Sequence, residues 1–270
     1  MARVSPQAPL DAGCDYFPGL RTATAGRRPG DVMGGAAPRL QGGRRTGMIR
    51  AMTTMMKIDF VSDVACPWCA VGLNALERAL ESLQGDPAFT AEVAIELQPF
   101  ELNPQMPPEG EDTTQHLSRK YGIDAAQIAR NQEALRQRGA AVGFEFGVGK
   151  RTRIYNTFDA HRLLMWAAEA GPADSQRRLK HALLAAYHTH GDNPGATEVL
   201  VKAAAESGLD ADAARAVLAS TRYTDEVRER EQMYQGLGIH SVPSVIINNR
   251  HLITGGQPPE VFAAALKQIA

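Results

Sequence analysis

Two thiols at short spacing are the chemically most informative residues of the chain. In Cys66-Pro67-Trp68-Cys69 the cysteines lie three positions apart, which is close enough for a disulfide to form between them. Thiol and disulfide interconvert when a thiolate attacks a disulfide sulfur. The spacing therefore predicts a redox pair that can accept a disulfide and pass it on.

The elements around this pair place it at a strand-to-helix turn. Residues 57–61 are β-prone, and residues 71–83 have the pattern of a helix. Pro67 suits the first helical position, because the N–H that proline lacks would be unpaired there. Free N–H groups at a helix start stabilise negative charge, so we expect Cys66 to form the thiolate and Cys69 to lie one turn deeper.

A zinc site is the main alternative for two cysteines at this spacing. Such a site needs about four ligands, and the only other cysteine of the sequence is Cys14, far from the pair. The histidines show no close-spaced arrangement with a second cysteine; they are His116, His161, His181, His188, His190, His240 and His251. Proline and tryptophan between the thiols also favour redox chemistry, and we predict no bound metal.

Composition places the chain among ordinary globular proteins. Of its 270 residues, 44% are hydrophobic and 22% are charged, and the formal net charge is −1. That balance provides no basic field for nucleic acid. No run of about 18 apolar residues is present, so no membrane span is predicted. Three cysteines are too few for a disulfide scaffold of the secreted kind.

Residues 1–54 differ in composition from the rest of the chain. They contain eight Arg, no Lys and three acidic residues, with no apolar periodicity. We expect this segment not to pack, and it lacks the continuous apolar stretch of a secretory signal. One interpretation is an organelle transit peptide. The other, which we favour, is a translation start assigned too far upstream, with the true start at Met48, Met52, Met55 or Met56.

The remaining chain alternates between strand and helix signals. Strands are predicted at 57–62, 90–97, 242–247 and 251–254, with a tight turn joining the last two. Helices are predicted after the cysteine pair and at 112–121, 125–138, 157–170, 173–190, 196–207, 211–220, 224–237 and 260–269.

This order of elements predicts an α/β protein with a thioredoxin fold. A large, all-helical insertion is expected between the second and third strands. The thioredoxin-like domain is predicted to comprise 57–104 and 221–270, the insertion 105–220, and the N-terminal tail 1–54. We expect the insertion to cover the redox turn and to set substrate choice.

Several short motifs make residues 57–270 similar to one branch of the thioredoxin superfamily. They are Asp63-Val64-Ala65-Cys66-Pro67-Trp68-Cys69, Pro99-Phe100-Glu101-Leu102-Asn103-Pro104, the stretch 153–163, Val242-Pro243 and Ile253-Thr254-Gly255-Gly256-Gln257. With these motifs the chain resembles the DsbA-like proteins, and more narrowly the FrnE-like dithiol–disulfide oxidoreductases. It lacks the further cysteine pair of some relatives, and Ser241 stands where a glycine commonly precedes the Val-Pro pair.

The resemblance implies a cis peptide bond at Val242-Pro243, facing the redox turn. It also implies that the backbone of Val242 pairs with an extended substrate segment, as a strand would. Pro67 and Trp68 are expected to contribute to the same substrate-binding surface. Without the resemblance, Pro243 is interpreted as a proline at the start of a strand.

Asn156 and His161 are further candidates for this site. Asn156 has the spacing of a helix N-cap three residues before Asp159. His161 lies on a nearly all-apolar helix, where a core histidine is the usual interpretation. On one helix the two would lie about 140° apart, so both face the thiols only if Asn156 precedes the helix. His188 and His190 are expected in solvent.

The predicted activity is thiol–disulfide exchange by a disulfide reductase or isomerase. Cys66 attacks a substrate disulfide and Cys69 resolves the mixed disulfide, and the reverse order oxidises a dithiol. The expected partners are protein or small-molecule disulfides and dithiols, without nucleic acid or membrane, and a homodimer is left open. No cofactor is expected, with glutathione as an optional co-substrate. Because no export signal is found, a cytoplasmic reductase is favoured over an oxidase.

Two other functions are kept as alternatives. Glutathione-dependent isomerases and transferases, of the 2-hydroxychromene-2-carboxylate isomerase and kappa-class types, resemble this chain in fold and helical insertion. They typically keep one thiol-binding residue rather than a redox pair, so Cys69 argues against them. A chaperone or binding module using the same groove would keep its activity after both cysteines were replaced.

Overall fold

The described part of the protein, residues 55–270 of a computed structural model, contains six strands. They are β1 (Met55–Ser62), β2 (Glu92–Pro99), β3 (Glu111–Asp112), β4 (Arg153–Ile154), β5 (Ser244–Ile247) and β6 (His251–Thr254). The main sheet has the order β2-β1-β5-β6, with β1 parallel to β2 and antiparallel to β5. The predictions for residues 1–54 lie outside the described residues.

Nine α-helices and one π-helix accompany these strands within residues 55–270. They are α1 (Pro67–Ser82), α2 (Thr113–Tyr121), α3 (Ala125–Ala141), α4 (Phe158–Ala170), α5 (Ser175–Leu184), α6 (Thr197–Glu206), α7 (Ala211–Leu218), α8 (Thr224–Gly236) and α9 (Pro259–Ile269), with the π-helix Ala185–His190 continuing from α5. Within this range every helix is too short or too polar to cross a bilayer.

The order of elements confirms the predicted thioredoxin fold with a helical insertion. The units β1-α1-β2 and α8-β5-β6-α9 build the sheet and its covering helices, and α2 to α7 lie between them in sequence. The insertion also contains the short antiparallel pair of β3 and β4, which the sequence did not predict. The domain boundaries at 105 and 220 stay predictions.

Helices pack on both faces of the main sheet, and β1 is buried between them from Met56 onwards apart from Lys57, which is partly exposed. Met56, Ile58 and Phe60 point to the face packed by α1 and α9. Val61 points to the opposite face, where Tyr234 of α8 belongs to a separate cluster. Successive side chains of a strand point to opposite faces, so Lys57 and Asp59 share the face of Val61. Asp59 is buried there and accepts a hydrogen bond from the side chain of Gln98 over 2.7 Å.

The loop between β1 and α1 is held between two hydrophobic cores. The insertion has its own core, built mainly by α4 to α7, and Val64 from this loop packs into it. In the other direction, Leu135, Phe144 and Leu184 of the insertion pack into the core of the sheet. The segment that carries the cysteine pair is therefore buried from both sides.

Candidate active site

The cysteine pair lies at the start of α1. Pro67 is the first helical residue, Cys66 is the N-cap in an extended conformation, and the N–H of Cys69 donates to the carbonyl of Cys66 over 3.1 Å. Both thiols are free. Cys66 is 4% exposed and Cys69 is 0% exposed. The structure thus shows the dithiol state, with both thiols buried and Cys69 fully so.

The two thiols have pKa shifts in opposite directions. A hydrogen bond from the Cys69 thiol lowers the pKa of Cys66, and the N–H groups of Cys69 and Trp68 add to this, against burial and the charge of Asp63. Burial raises the pKa of Cys69 well above its usual value, and the bond to Cys66 adds to that rise. Cys66 therefore ionises first, and Cys69 keeps its proton.

The loop before β5 faces the first thiol. The peptide bond Val242–Pro243 is cis. The thiol of Cys66 donates to the carbonyl of Val242, with 3.6 Å between sulfur and oxygen. Pro243 packs on α1 at Gly72, where an added Cβ would lie 2.9 Å from the Cγ of Pro243. The structure therefore brings Val242 and Pro243 together with Cys66.

The surface beside Cys66 is apolar and open. Trp68 is 41% exposed, and Pro67 next to it is half-buried. The backbone of Gly256 approaches the indole closely, since an added Cβ there would lie 3.2 Å from its Cε3 atom. An exposed indole supported from below offers a partner an apolar contact next to the thiol.

Asp63 joins three motifs that are distant in sequence. Its Oδ1 accepts hydrogen bonds from the N–H of Ala65 over 3.0 Å and from the hydroxyl of Thr157 over 2.7 Å. Its Oδ2 accepts from the N–H of Leu102 over 2.7 Å. Burial acts to raise the pKa of Asp63, but His161 and these N–H groups lower it overall. A permanent carboxylate therefore ties the redox loop to the 99–104 loop and to the start of α4.

The structure places His161 and Asn156 differently. His161 is buried on α4, with its Nε2 3.5 Å from Oδ1 of Asp63. Asn156 precedes α4, and its side chain accepts from the N–H of Phe158 over 2.8 Å. The N-cap position itself belongs to Thr157, so the expected N-cap role of Asn156 is wrong by one residue. His161 thus lies behind the redox loop, and Asn156 orders the turn into α4.

The expectation that His188 lies in solvent is wrong. His188 is buried on the π-helix, and its Nε2–H donates to the carbonyl of Val64 over 2.9 Å. Burial lowers the pKa of His188 well below its usual value, and the charge of Arg151 adds to this. A neutral histidine from the insertion therefore holds the loop two residues before Cys66. His190 is exposed, as expected.

One residue of the site, Lys180, was missed in the sequence. It lies on α5 and is 1% exposed. Burial lowers its pKa, while the charges of Cys69, Asp63 and Cys66 act to raise it. The available signal was helical spacing, because Leu183 and Leu184 follow Lys180 by three and four positions and are buried.

Two concave regions of the described residues differ in which site residues line them. One cavity, of 770 Å³, lies between α1, β2 and the connection from α4 to α5, and none of the site residues lines it. His161 and Lys180 line one narrow gap together with Gln98 and Pro99. Within residues 55–270, no group of three or more His, Cys, Asp or Glu side chains is arranged to hold a metal ion.

A dithiol at a helix start, opposite a cis-proline loop on a four-stranded sheet, defines a thioredoxin-like protein. Within that class, the family model of the DSBA-like thioredoxin domain matches residues 57–267, and the chain belongs to this family. Members of the family are oxidoreductases.

Individual relatives agree with this assignment. The chain is similar to the "probable DsbA oxidoreductase SCO1869" of Streptomyces coelicolor, with 33% identity, a TM-score of 0.71 and coverage of 79% of this chain and 89% of the other. It is 26% identical to the uncharacterized protein YwbO of Bacillus subtilis (strain 168), covering 80% and 96% of the two chains. The cytosolic disulfide reductase DsbM of Pseudomonas aeruginosa shares the fold, with a TM-score of 0.55, 15% identity and coverage of 79% and 98%.

Proposed function

We propose that the protein is a dithiol–disulfide oxidoreductase that reduces or isomerises disulfides through Cys66 and Cys69. The observation that supports this most directly is the position of two free thiols in the first turn of α1, with Cys66 3.6 Å from the carbonyl of Val242. The pKa shifts of the two thiols, in opposite directions, agree with it. The Cys66 thiolate attacks a substrate disulfide, forms a mixed disulfide and releases one substrate thiolate. Cys69 then attacks the Cys66 sulfur, so the second substrate sulfur leaves and the intramolecular disulfide forms.

The substrate-binding surface is proposed to comprise Pro67, Trp68, Val242 and Pro243. The exposed indole of Trp68 offers an apolar contact, and the backbone at Val242 lies beside the Cys66 sulfur, 3.6 Å away at its carbonyl. An extended substrate segment that pairs with this backbone would bring its disulfide to Cys66. His161 and Asn156 act from behind, by supporting the redox loop and the start of α4.

A glutathione-dependent activity is the second candidate. The 2-hydroxychromene-2-carboxylate isomerase shares the fold, with a TM-score of 0.56 at 14% identity, and DsbM has been solved with GSH. We propose glutathione as a co-substrate that returns the enzyme to its dithiol form, in a cytoplasmic setting like that of DsbM. The buried resolving thiol at Cys69 favours the dithiol cycle over a single-thiol isomerase.

Insulin reduction by matched cysteine variants tests the proposal. Cys66→Ser should abolish turnover and form no mixed disulfide. Cys69→Ser should also lose turnover, but it should accumulate a covalent adduct that dithiothreitol releases, because attack proceeds and resolution does not. Cys14→Ser is the matched control and should leave the rate unchanged.

Two results would contradict the proposal in different ways. If Cys69→Ser turns over normally with glutathione as the only thiol, the glutathione-dependent function replaces the dithiol cycle. If a variant lacking both Cys66 and Cys69 keeps the activity of the wild type, the protein acts as a chaperone or binding module.

A further inference from the structure

A concave region of 380 Å³ lies between α1, the last turn of α3 and the start of α9. Its lining includes Val71 and Arg78 of α1, Arg138 of α3, and Gln257 and Pro258 before α9. None of the thiol, cis-proline or buried polar groups described above lines this region. Its relation to the thiols therefore depends on the residues that lie between the two places.

Gly256 connects this region with the redox turn. An added Cβ at Gly256 would lie 3.2 Å from both the carbonyl oxygen and the Cε3 atom of Trp68, and 3.6 Å from Cγ1 of Val71. The carbonyl of Gly256 accepts a hydrogen bond from Nη2 of Arg138 over 3.3 Å. A single residue thus separates the Arg138 guanidinium from the exposed indole next to the cysteine pair.

Two guanidinium groups line the region with most of their hydrogen-bond donors unused. Arg78 donates from Nε to the carbonyl of Val142 over 2.9 Å, and Arg138 makes the bond just described. A guanidinium has five N–H donors, so four remain on each residue. Both side chains are exposed, and within residues 55–270 neither pairs with a carboxylate, whereas Arg136 on the same helix pairs with Glu133.

The charges of the lining favour an anion. Arg78 and Arg138 contribute two positive charges, and Glu260, exposed in the first turn of α9, contributes one negative charge. The planar guanidinium can bind a carboxylate through two parallel N–H donors. The group that suits this region is therefore a carboxylate of a molecule that also reaches the thiols.

We propose that Arg138, assisted by Arg78, binds a carboxylate of the substrate, so that the protein prefers disulfides with an anionic group near the sulfur. This preference rests on the proposed dithiol cycle. An extended chain spans about 3.3 Å per residue, and only Gly256 lies between the guanidinium and Trp68. The carboxylate therefore belongs within about one to three residues of the disulfide. Glutathione disulfide has carboxylates at this spacing and serves as the probe.

The matched substrates are glutathione disulfide and the disulfide of glutathione diethyl ester, which has the same reacting sulfurs and no free carboxylate. The variants are Arg138→Gln, Arg78→Gln, their combination, and Arg138→Lys, which keeps the charge. Arg136→Gln removes an exposed arginine of the same helix and is the control. Each reduced protein is mixed with substrate, quenched with acid and analysed by mass spectrometry, which gives the second-order rate constant for loss of the dithiol form.

We expect the rate constant for glutathione disulfide to fall about fivefold in Arg138→Gln, which is the upper end for a partly exposed ion pair, and further in the double variant. The diester should react no more slowly with any variant than with the wild type. Added salt should slow the wild-type reaction with glutathione disulfide towards the rate of the double variant, because ions screen exposed charges. Arg138→Lys should keep most of the rate, and Arg136→Gln should keep all of it.

Two results would overturn the preference alone. One is an equal rate constant for glutathione disulfide in the wild type and the double variant. The other is an equal decrease for both substrates, which would show that Arg138 only holds the loop at Gly256. If Arg138→Gln does not fold, the wild type provides the same test, because equal salt dependence with the two substrates also overturns the preference. A wild-type protein that forms no mixed disulfide on Cys66 with either substrate overturns the proposed function, and the preference with it.

Discussion

Four ionisable side chains in and around the redox loop have almost no exposure: Asp63, His161, Lys180 and His188. Burying such groups is costly unless they are paired or hydrogen-bonded. Asp63 accepts three hydrogen bonds, and His188 donates one to the same loop. At the scale of single residues, buried hydrogen bonds as well as apolar packing therefore hold the redox loop in place.

The buried imidazole of His188 predicts how stability depends on pH. Its folded pKa is lowered from 6.5, so below that pH the unfolded chain binds a proton that the folded protein excludes. As the pH falls from 6.5 towards the lower folded pKa, this residue should remove about 1.4 kcal/mol of stability per pH unit. Urea unfolding at pH 7.0, 6.0 and 5.0 measures the slope.

His188→Gln is the variant that isolates this effect. Its amide can donate to Val64 but does not titrate, so the loss of stability between pH 6.5 and 5.0 should be smaller than in the wild type. His190→Gln removes an exposed imidazole and should leave the slope unchanged. An unchanged slope in His188→Gln would contradict the assignment of the acid sensitivity to His188.

Asp63→Asn should lower the stability of the folded protein and should also lower the pKa of Cys66. The amide nitrogen cannot accept a hydrogen bond, so at least one N–H or hydroxyl partner of Asp63 is left unpaired, at a cost of about 1–3 kcal/mol. Removing the negative charge should also lower the pKa of Cys66, which that charge raises. Thiolate absorbance at 240 nm and urea unfolding measure both effects.

Asp159→Asn is the control for this pair of effects. Asp159 is a half-exposed residue of α4 that pairs with Arg162 on the same helix. Its neutralisation should leave the Cys66 titration unchanged, because Asp159 is not among the charges that shift the pKa of Cys66. A Cys66 titration that moves to higher pH in Asp63→Asn would contradict the predicted direction.

At the scale of elements, α1 and the cis-proline loop must keep a close contact for the thiols to meet a substrate. Gly72→Ala places a Cβ 2.9 Å from the Cγ of Pro243, so the loop must shift away from α1. We expect lower stability and a several-fold lower rate of insulin reduction. Gly236→Ala is the matched control, because α8 is open at that position, and it should be neutral or stabilising by about 0.4–1 kcal/mol.

Most elements could be predicted because their signals are local. The alternation of Val93 and Ile95 indicated β2, and Pro67 marked the start of α1 within a residue. The π-helix could not be predicted, because 185–190 carries no residue that distinguishes π from α spacing. The nearby Gly191 indicated a loop, so the sequence predicted that His188 lies at a helix end in solvent.

The candidate site divides in the same way. The spacing of Cys66 and Cys69 predicts their redox role, and the family resemblance predicts the role of Val242 and Pro243. Lys180 belongs to a helix more than a hundred positions away, and helical periodicity shows which residues share a face but not which surface that face meets. The partner of that face depends on how the insertion packs, which no local pattern contains.

At the scale of the whole molecule, the sheet and the insertion share their cores. Val64 of the redox loop packs with the insertion, and Leu184 of the insertion packs with the sheet. Gln176 adds a polar link, since its side chain accepts from the N–H and donates to the carbonyl of Leu97 at the edge of β2. Two parts joined in this way should lose their structure together.

The two tryptophans of the chain allow that cooperativity to be tested. Trp68 lies beside the redox turn, and Trp166 is buried in the core of the insertion. In the single-tryptophan variants Trp166→Phe and Trp68→Phe, urea unfolding followed by fluorescence should have the same midpoint as far-UV circular dichroism of the same variant.

Leu184→Ala, added to each variant, should lower the midpoint of both probes. It opens a cavity in the shared core, which should lower the free energy of unfolding by about 2–5 kcal/mol. Leu237→Ala, at an exposed position, should move neither. A Leu184→Ala protein in which the Trp166 signal kept its midpoint while the Trp68 signal moved would contradict this cooperativity. The insertion would then fold as an independent unit. Contacts from α5 and the π-helix to the redox loop could form and break without unfolding the protein.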